Sequence, residues 1–329
     1  VGSISGDQTI CYNTAPVALI GTAPTGGDGT YTYQWQSSTN NVTFLDIPGA
    51  TLIDYLPSAL TTTTYFRQVQ TSGSGCGIEN TNTITITVYN EFLPGTATGE
   101  QTICFNTIPA LTLHATAPTG GDGIYTYQWE KSTAGAPFTA IGGATALDYS
   151  EPGNLLESTD YRLMQTTSCG VVYTNMVTIT VNDPPNVVAI SDITSACVNN
   201  DIIFNGFSTD NVTWAWDFDD GTTSTDQNPP PHSYAFGRDY LVTLTVTDNI
   251  GCSNIDTVDI QVVDPPIVDF SYQVDTCQKI IFTDQSIAPE GYFLVDGYWE
   301  LGEGTTDTGP TFRHQYPAGG LYIVNLTVT

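Results

Sequence analysis

The chain repeats itself. At an offset of about 93 residues, GDQTICYNT from Gly6 aligns with GEQTICFNT from Gly99, and TAPTGGDGTYTYQW from Thr22 aligns with TAPTGGDGIYTYQW from Thr116. A period of that length is a whole domain, because solenoid units run roughly 20 to 50 residues. The opening VGSISGDQTIC also matches PGTATGEQTIC from Pro94 to Cys104, so the chain starts where a repeat starts and reads as a piece of a longer array.

Inside each copy the periodicity is two. Tyr31, Tyr33 and Trp35 alternate with Thr32, Gln34 and Gln36, and Thr83 to Val88 alternates threonine with aliphatic residues. Both patterns predict half-buried strands. The GGDG segments at Gly26 to Gly29 and Gly120 to Gly123 read as turns ahead of the tryptophan strand, since glycine adopts positive φ at little steric cost. A phosphate-cradling role is set aside because no helix follows them. Pro184-Pro185 and Pro265-Pro266 each follow a strand, and proline both stiffens a joint and cannot donate to a ladder. The expected organisation is all-β: repeats at 1–92 and 93–184, then domains at 185–265 and 266–329, the last without its final strand.

Charge narrows the partners. Six Lys and Arg stand against 34 Asp and Glu, a formal charge of −28 that repels a phosphate backbone, so nucleic acid is excluded as a ligand. The acidic surface is read as solvating, with divalent cations or basic partners as the alternative. No run reaches the roughly 20 apolar residues of a membrane-spanning helix, and no signal-peptide pattern opens the chain. Catalytic signatures are missing too: there is no GxSxG, HExxH or P-loop, and His114, His232 and His314 sit in strand-like contexts that favour structural roles.

The seven cysteines are Cys11, Cys76, Cys104, Cys169, Cys197, Cys252 and Cys277. Each domain opens with one, and the first three carry a second before the last strand. The economical expectation is one bridge per domain: Cys11–Cys76, Cys104–Cys169 and Cys197–Cys252, with Cys277 unpaired. Such a bridge stabilises a small domain by roughly 4 kcal/mol through loop-closure entropy. Zinc is disfavoured because no CxxC or histidine cluster occurs, and disulfides imply an oxidising compartment.

Trp216-Asp217-Phe218-Asp219-Asp220-Gly221, His232-Ser233-Tyr234 and Gly237-Arg238-Asp239-Tyr240 running into Leu241-Val242-Thr243-Leu244-Thr245-Val246 resemble the PKD domain signature. Trp299-Glu300-Leu301-Gly302-Glu303-Gly304, His314-Gln315-Tyr316 and Gly320-Leu321-Tyr322 repeat it more loosely. Asp219 replaces the family's glycine, so its turn either holds a strained residue or differs in type. Residues 1 to 183 resemble the PKD-like or Ig-like repeats of giant surface proteins in gliding Bacteroidota. That resemblance implies an exported, type IX secreted adhesin on the cell surface, with the sorting domain and the secretion machinery's partners outside this chain.

Aligned on this frame, Trp35, Trp129, Trp216 and Trp299 are expected to share one core position, with Trp214 the aromatic to look for on the surface. Tyr65, Tyr161, Tyr240 and Tyr322 resemble the tyrosine that pins a sandwich corner through a backbone hydrogen bond. No cofactor is expected. Calcium is the candidate cation, at Asp217, Asp219, Asp220 and Asp226 or at the acidic joints around Asp183, Asp264 and Asp269. Asp256-Thr257-Val258 fits the Asp-Ser/Thr-apolar O-glycosylation pattern of Bacteroidota, with Thr257 facing solvent. The functional expectation is a non-catalytic adhesive or stalk array with a polysaccharide or protein ligand. The alternatives are an accessory region of a secreted polysaccharide- or protein-degrading enzyme, and a subunit of an extracellular filament.

Overall fold

A computed structural model describes residues 1–73, 77–276 and 279–329, and every regular element among them is a β-strand. The chain falls into two compact units, Val1–Asn182 and Asp183–Thr329, and each holds two of the four buried hydrophobic clusters. The fold is all-β, a tandem Ig-like arrangement of sandwiches.

The first three domains share a topology. In the second, the larger sheet runs Gln101–Cys104, Val177–Asn182, Thr159–Thr167, Thr126–Thr133 and Thr139–Ala140, and the smaller sheet runs Asp148–Tyr149, Leu113–Ala115 and Ala97–Thr98. The opening segment thus begins on the small sheet, as Ala97–Thr98, and crosses to the large one, where Gln101–Cys104 lies parallel to the last strand. Ser195–Cys197 against Ser253–Val263 repeats that parallel pairing in the third domain. Strand alternation supplies the core: Thr64–Ser72 and Thr159–Thr167 both run buried, half-buried through seven positions.

The four tryptophans Trp35, Trp129, Trp216 and Trp299 are all buried at 1% exposure or less. Each indole N–H donates to a backbone carbonyl of the loop that follows: Leu52 at 3.0 Å, Ala146 at 3.1 Å, Asp226 at 3.1 Å and Gly309 at 3.1 Å. A buried indole needs such a partner, so the ring both fills the core and fixes the loop over it.

The tyrosines divide. Tyr240 donates to the Phe236 carbonyl at 2.9 Å and Tyr322 to the Ala318 carbonyl at 3.0 Å, each a backbone corner. Tyr161 is buried but donates instead to the Glu151 carboxylate at 2.8 Å. Tyr65 is not a core residue: it is half-buried, and Phe66 occupies the position of Tyr161 at 2% exposure. The bridges Thr14↔Leu60 and Thr107↔Leu155, set beside Leu19↔Tyr55 and Leu113↔Tyr149, show one extra residue between Tyr149 and Leu155. With a period of two, a slip of one turns a side chain to the other face.

The disulfides also differ from one per domain. Cys11 is bonded to Cys169, at a Cα separation of 5.5 Å and across 158 residues, so the bridge joins the two repeats. This replaces both Cys11–Cys76 and Cys104–Cys169. Cys197 is a free, exposed thiol while Cys252 is disulfide-bonded, which removes Cys197–Cys252. Cys104 is disulfide-bonded as well; Cys76 and Cys277 lie outside the described residues. The parallel pairing is the physical reason. It sets Cys104 beside Asn182 and Cys197 beside Val263, at the trailing end of the last strand, whereas Cys169 and Cys252 precede the leading end. The strand Ser253–Val263 is 11 residues, roughly 35 Å, and a disulfide needs Cα atoms within about 7 Å. The trailing end of one repeat can meet only the leading end of the next.

The linker between the repeats is packed down. Gly121 donates its N–H to the Asn90 carbonyl at 3.0 Å, Leu93 pairs with Thr119, and Phe92 stacks on Tyr125 at 6.2 Å. Gly120 is required here beyond its φ of +79°, because a Cβ would stand 1.9 Å from the Glu91 carbonyl oxygen.

In the third domain, Asp219 holds a φ of 61° and its counterpart Gly302 a φ of 78°, so the two turns are of one type. Asp219 is held there by Arg238, which meets its carboxylate at 2.8 Å and also bonds its carbonyl. In the fourth domain a Cβ at Gly302 would lie 2.4 Å from the Ile323 carbonyl oxygen. Gly302→Asp is therefore expected to destabilise its domain by about 2 kcal/mol or more, while Asp219→Gly changes stability by less than about 1 kcal/mol. Thermal melts of the two variants check this asymmetry.

Candidate functional site

The acidic turn after Trp216 is the densest collection of ionisable groups that the sequence singles out. Asp217 Oδ1 accepts the Asp219 N–H at 3.0 Å, and Asp220 Oδ1 accepts the Thr222 N–H at 2.9 Å, so both carboxylates close local turns. The other oxygen of Asp220 meets His232 Nε2 at 2.9 Å. His232 stacks on Phe218 at 4.2 Å and meets Tyr234 edge-on at 4.7 Å; Tyr234 in turn stacks on Tyr240 at 3.9 Å. Arg238 caps the row, 3.8 Å over the Tyr240 ring. The fourth domain repeats the motif with Glu303 on His314 at 2.6 Å, His314 edge-on to Tyr316 at 4.6 Å, and Tyr316 stacked on Tyr322 at 4.0 Å.

Electrostatics follow the contacts. Burial pushes the Asp220 carboxyl up, but hydrogen bonds from Thr222 and His232 outweigh it and hold the group below its ordinary range. The Arg238 hydrogen bond, with the Leu241 amide, keeps Asp219 low. Burial and the Asp220 charge push Tyr234 up. Asp226 stands apart, exposed, contributing its backbone carbonyl to Trp216. The carboxylates proposed for calcium are thus divided among separate partners, and among the described residues no three of His, Cys, Asp or Glu are grouped to hold a metal ion. The arrangement ties the turn at Asp219 and Asp220 to His232, Arg238 and the stacked Tyr234 and Tyr240.

A second polar cluster is confined to the second repeat, and sequence reading missed it. Glu151 is 8% exposed and receives Tyr161 at 2.8 Å, Lys131 at 3.1 Å and Tyr149 at 3.2 Å. Burial raises its carboxyl, yet the Tyr161, Lys131 and Tyr149 hydrogen bonds together hold it below its ordinary 4.5. Tyr149 is pushed up to about 12, first by burial and then by the Glu151 charge. In the first repeat the same positions are Pro57 and Phe66, both buried. Acid and hydroxyl are present together or replaced together, as an unpartnered buried carboxylate would demand.

Because the folded value lies below the unfolded one, Glu151 contributes stability that is present above about 4.5 and is lost as pH falls through the folded value. Melts of the native chain from pH 7 to pH 3 are expected to show this acid loss, and Glu151→Gln to show less of it. Tyr161→Phe is expected to cost about 1–3 kcal/mol at pH 7, since it strips one donor from a buried acid.

The remaining candidates are placed as follows. Trp214 is half-buried and packs on Gly206, where a Cβ would stand 2.7 Å from the indole ring. Thr257 is exposed between inward-facing residues of its strand, which include Val258 and Ile260. His114 bonds Asp148 at 2.8 Å, both exposed. Among the described residues no helix is long and apolar enough to cross a membrane.

Residues 182–262 and 263–329 each match the PKD domain, and residues 1–90 and 93–183 each match the family described as Domain of unknown function (DUF8696). Among curated proteins, the chain is 33% identical over 120 residues to the Pre-pro-metalloprotease PrtV of Vibrio cholerae serotype O1, strain M66-2. That match covers 36% of this chain, and the chain spans only 13% of the relative. Among solved structures it is similar to mouse cadherin-23 EC22-24, with 10% identity, a TM-score of 0.36, and coverage of 80% of this chain and 99% of that one. The three N-terminal domains of the bacteriophage RB49 Highly Immunogenic Outer Capsid protein give 10% identity, a TM-score of 0.32, and coverage of 80% and 98%. With both repeats matched, over more than half its length, the chain belongs to the DUF8696 family and carries two PKD domains after the paired repeats.

Proposed function

We propose that this chain is a non-catalytic segment of an extracellular cell-surface adhesin, an array that serves attachment or gliding and is exported across the outer membrane through parts outside it. The observation that carries this reading is the disulfide between consecutive domains, Cys11–Cys169, because such bonds persist only in an oxidising compartment and here serve the array rather than a catalytic centre. The PKD domains support the same reading, and a charge of −28 keeps an extended protein soluble. The ligand is a surface polysaccharide or protein, met by loops on rigid sandwiches.

Antibodies raised against residues 1–329 are expected to label unpermeabilised cells, and in-frame deletion of this segment is expected to lower attachment or gliding speed. Labelling only after permeabilisation, or unchanged attachment and gliding, would overturn the reading. A second reading, the accessory region of a secreted degrading enzyme, is favoured by the 33% identity to a metalloprotease precursor. If it holds, the parent protein degrades casein or polysaccharide, and deleting this segment lowers turnover of insoluble substrate while sparing soluble substrate.

A further inference from the structure

The third and fourth domains share a backbone frame around one spot and differ in the side chains that occupy it. Ile202-Ile203-Phe204-Asn205-Gly206 aligns with Ile280-Ile281-Phe282-Thr283-Asp284, and Trp214-Ala215-Trp216 with Gly297-Tyr298-Trp299. The Trp216 and Trp299 indoles donate to equivalent carbonyls, those of Asp226 and Gly309, both at 3.1 Å. One residue further on, the Gln227 carbonyl accepts the Gly206 N–H at 3.1 Å, and the Pro310 carbonyl accepts the Asp284 N–H at 2.8 Å. The main chain is therefore placed alike in the two domains.

The contents are exchanged. In the third domain the Trp214 ring lies against Gly206, where a Cβ would stand 2.7 Å from it, so an indole at one position requires glycine at the other. In the fourth, both have changed together: glycine stands at 297 and aspartate at 284. Gly297 does not hold a positive φ, so its backbone does not demand glycine. Where the indole would lie there is a recess of ≈ 340 Å³, walled by Asp284, Leu294, Asp296, Gly297, Gly309 and Pro310. Every wall comes from residues 284–310. Asp284 Oδ1 accepts the Ser286 N–H at 2.8 Å. Its Oδ2 faces the bare Gly297 backbone, 3.3 Å from where a Cβ would be, and accepts no hydrogen bond among the described residues.

We propose that this recess binds the guanidinium group of an arginine side chain presented by a basic partner. A group that replaces the indole must be flat and tolerate apolar walls, here Leu294 and Pro310, with Gly297 and Gly309 offering bare backbone. It must also bring N–H donors to Asp284 Oδ2, and a positive charge suits two carboxylates, Asp284 and the exposed Asp296. Guanidinium meets all of these demands, being planar, weakly hydrated and armed with a fork of donors that matches a carboxylate, whereas the lysine ammonium is a compact and strongly hydrated point charge. A chain of charge −28 also draws basic ligands towards it. The third domain has no such site, since Trp214 occupies the place from within.

The test titrates the full chain, labelled with nitrogen-15, with the peptide acetyl-Gly-Arg-Gly-amide and reads the backbone amide resonances. Shifts are expected at Gly297 and Gly309, with an affinity about fivefold or more above that of the same peptide carrying citrulline, which keeps the shape without the charge, or lysine, which keeps the charge without the fork. Asp284→Asn is expected to weaken the arginine peptide about tenfold. The double variant Asp284→Gly with Gly297→Trp rebuilds the arrangement of the third domain, so it is expected to keep or raise Tm while abolishing the response, which separates loss of the site from loss of the fold. Equal binding of the citrulline or lysine peptide, shifts confined to other residues, native affinity in Asp284→Asn, or tighter binding of the sugar cellotriose in the recess would each overturn the proposal. Binding is read without reference to attachment or gliding, so the site stands or fails apart from the adhesive role.

Discussion

Replacing Cys11 with serine is expected to cost the first unit about 2–5 kcal/mol and to separate the melting of its two repeats. The bridge closes a loop of 158 residues, and cross-linking at that distance removes on the order of 5 kcal/mol of entropy from the denatured chain. Residual order in the denatured state reduces the gain, which sets the lower figure. For domains of this size each kcal/mol moves Tm by roughly 4–8 °C, so calorimetry resolves the change. Digestion without reductant is expected to yield a peptide joining Cys11 to Cys169. A peptide joining Cys11 to Cys76, or a Cys11→Ser melt identical to native, would contradict the cross-repeat bond.

Trp129→Ala is expected to destabilise the second repeat by about 3–5 kcal/mol, enough to unfold a domain of ordinary stability at 37 °C. Trp129 is fully buried, packs near Tyr149 at 6.2 Å, and belongs to a cluster with Leu113, Leu163, Val177 and Ile179. Truncation leaves a cavity and also orphans the Ala146 carbonyl that its N–H meets at 3.1 Å. Trp129→Phe keeps most of the volume but not the donor, so its cost is expected to fall between native and alanine. Denaturant melts of the three chains order them directly, and an alanine variant within about 1 kcal/mol of native would show that the ring is not what holds the loop.

Much of this was legible beforehand because it rests on local periodicity. The two-residue alternations at Tyr31 to Gln36 and Thr83 to Val88, the GGDG turns and the tryptophan positions are written in adjacent residues. Partnership at a distance was not. Pairing Cys104 with Cys169 is reasonable from spacing, but only the parallel register of Gln101–Cys104 on Val177–Asn182 shows that they stand at opposite ends of a sandwich. Equating Tyr65 with Tyr161 was off by one residue, since Thr64 matches Thr159 and Phe66 matches Tyr161, and the period of two converts that slip into a change of face.

Signals for some of the missed contacts were present in the comparison of one domain with the next. Asp219 and Arg238 form an ion pair at 2.8 Å, and their counterparts Gly302 and Gly320 are both glycine. Glu151 and Tyr161 bond at 2.8 Å, and their counterparts are Pro57 and Phe66. Reading such joint replacements as contacts finds the Asp219–Arg238 pair without coordinates, whereas matching Phe66 to Tyr161 takes the register of the strands. The acids close in sequence at Asp217, Asp219 and Asp220 turn to different partners once the turn forms, which their spacing alone does not show.

The position of the cross-repeat bond decides what tension does to the first unit. A pull applied between Val1 and Asn182 runs along the backbone to Cys11, across the sulfur–sulfur bond to Cys169 and on to the end of the last strand, so the intervening residues carry none of the load. Even if both sandwiches melt, the oxidised unit cannot pay out the chain between Cys11 and Cys169, a sequence separation of 158, about 500 Å of slack at the reach of an extended chain. Such a segment behaves as a tether of nearly fixed length, one that lengthens under shear only after a reductant has reached it.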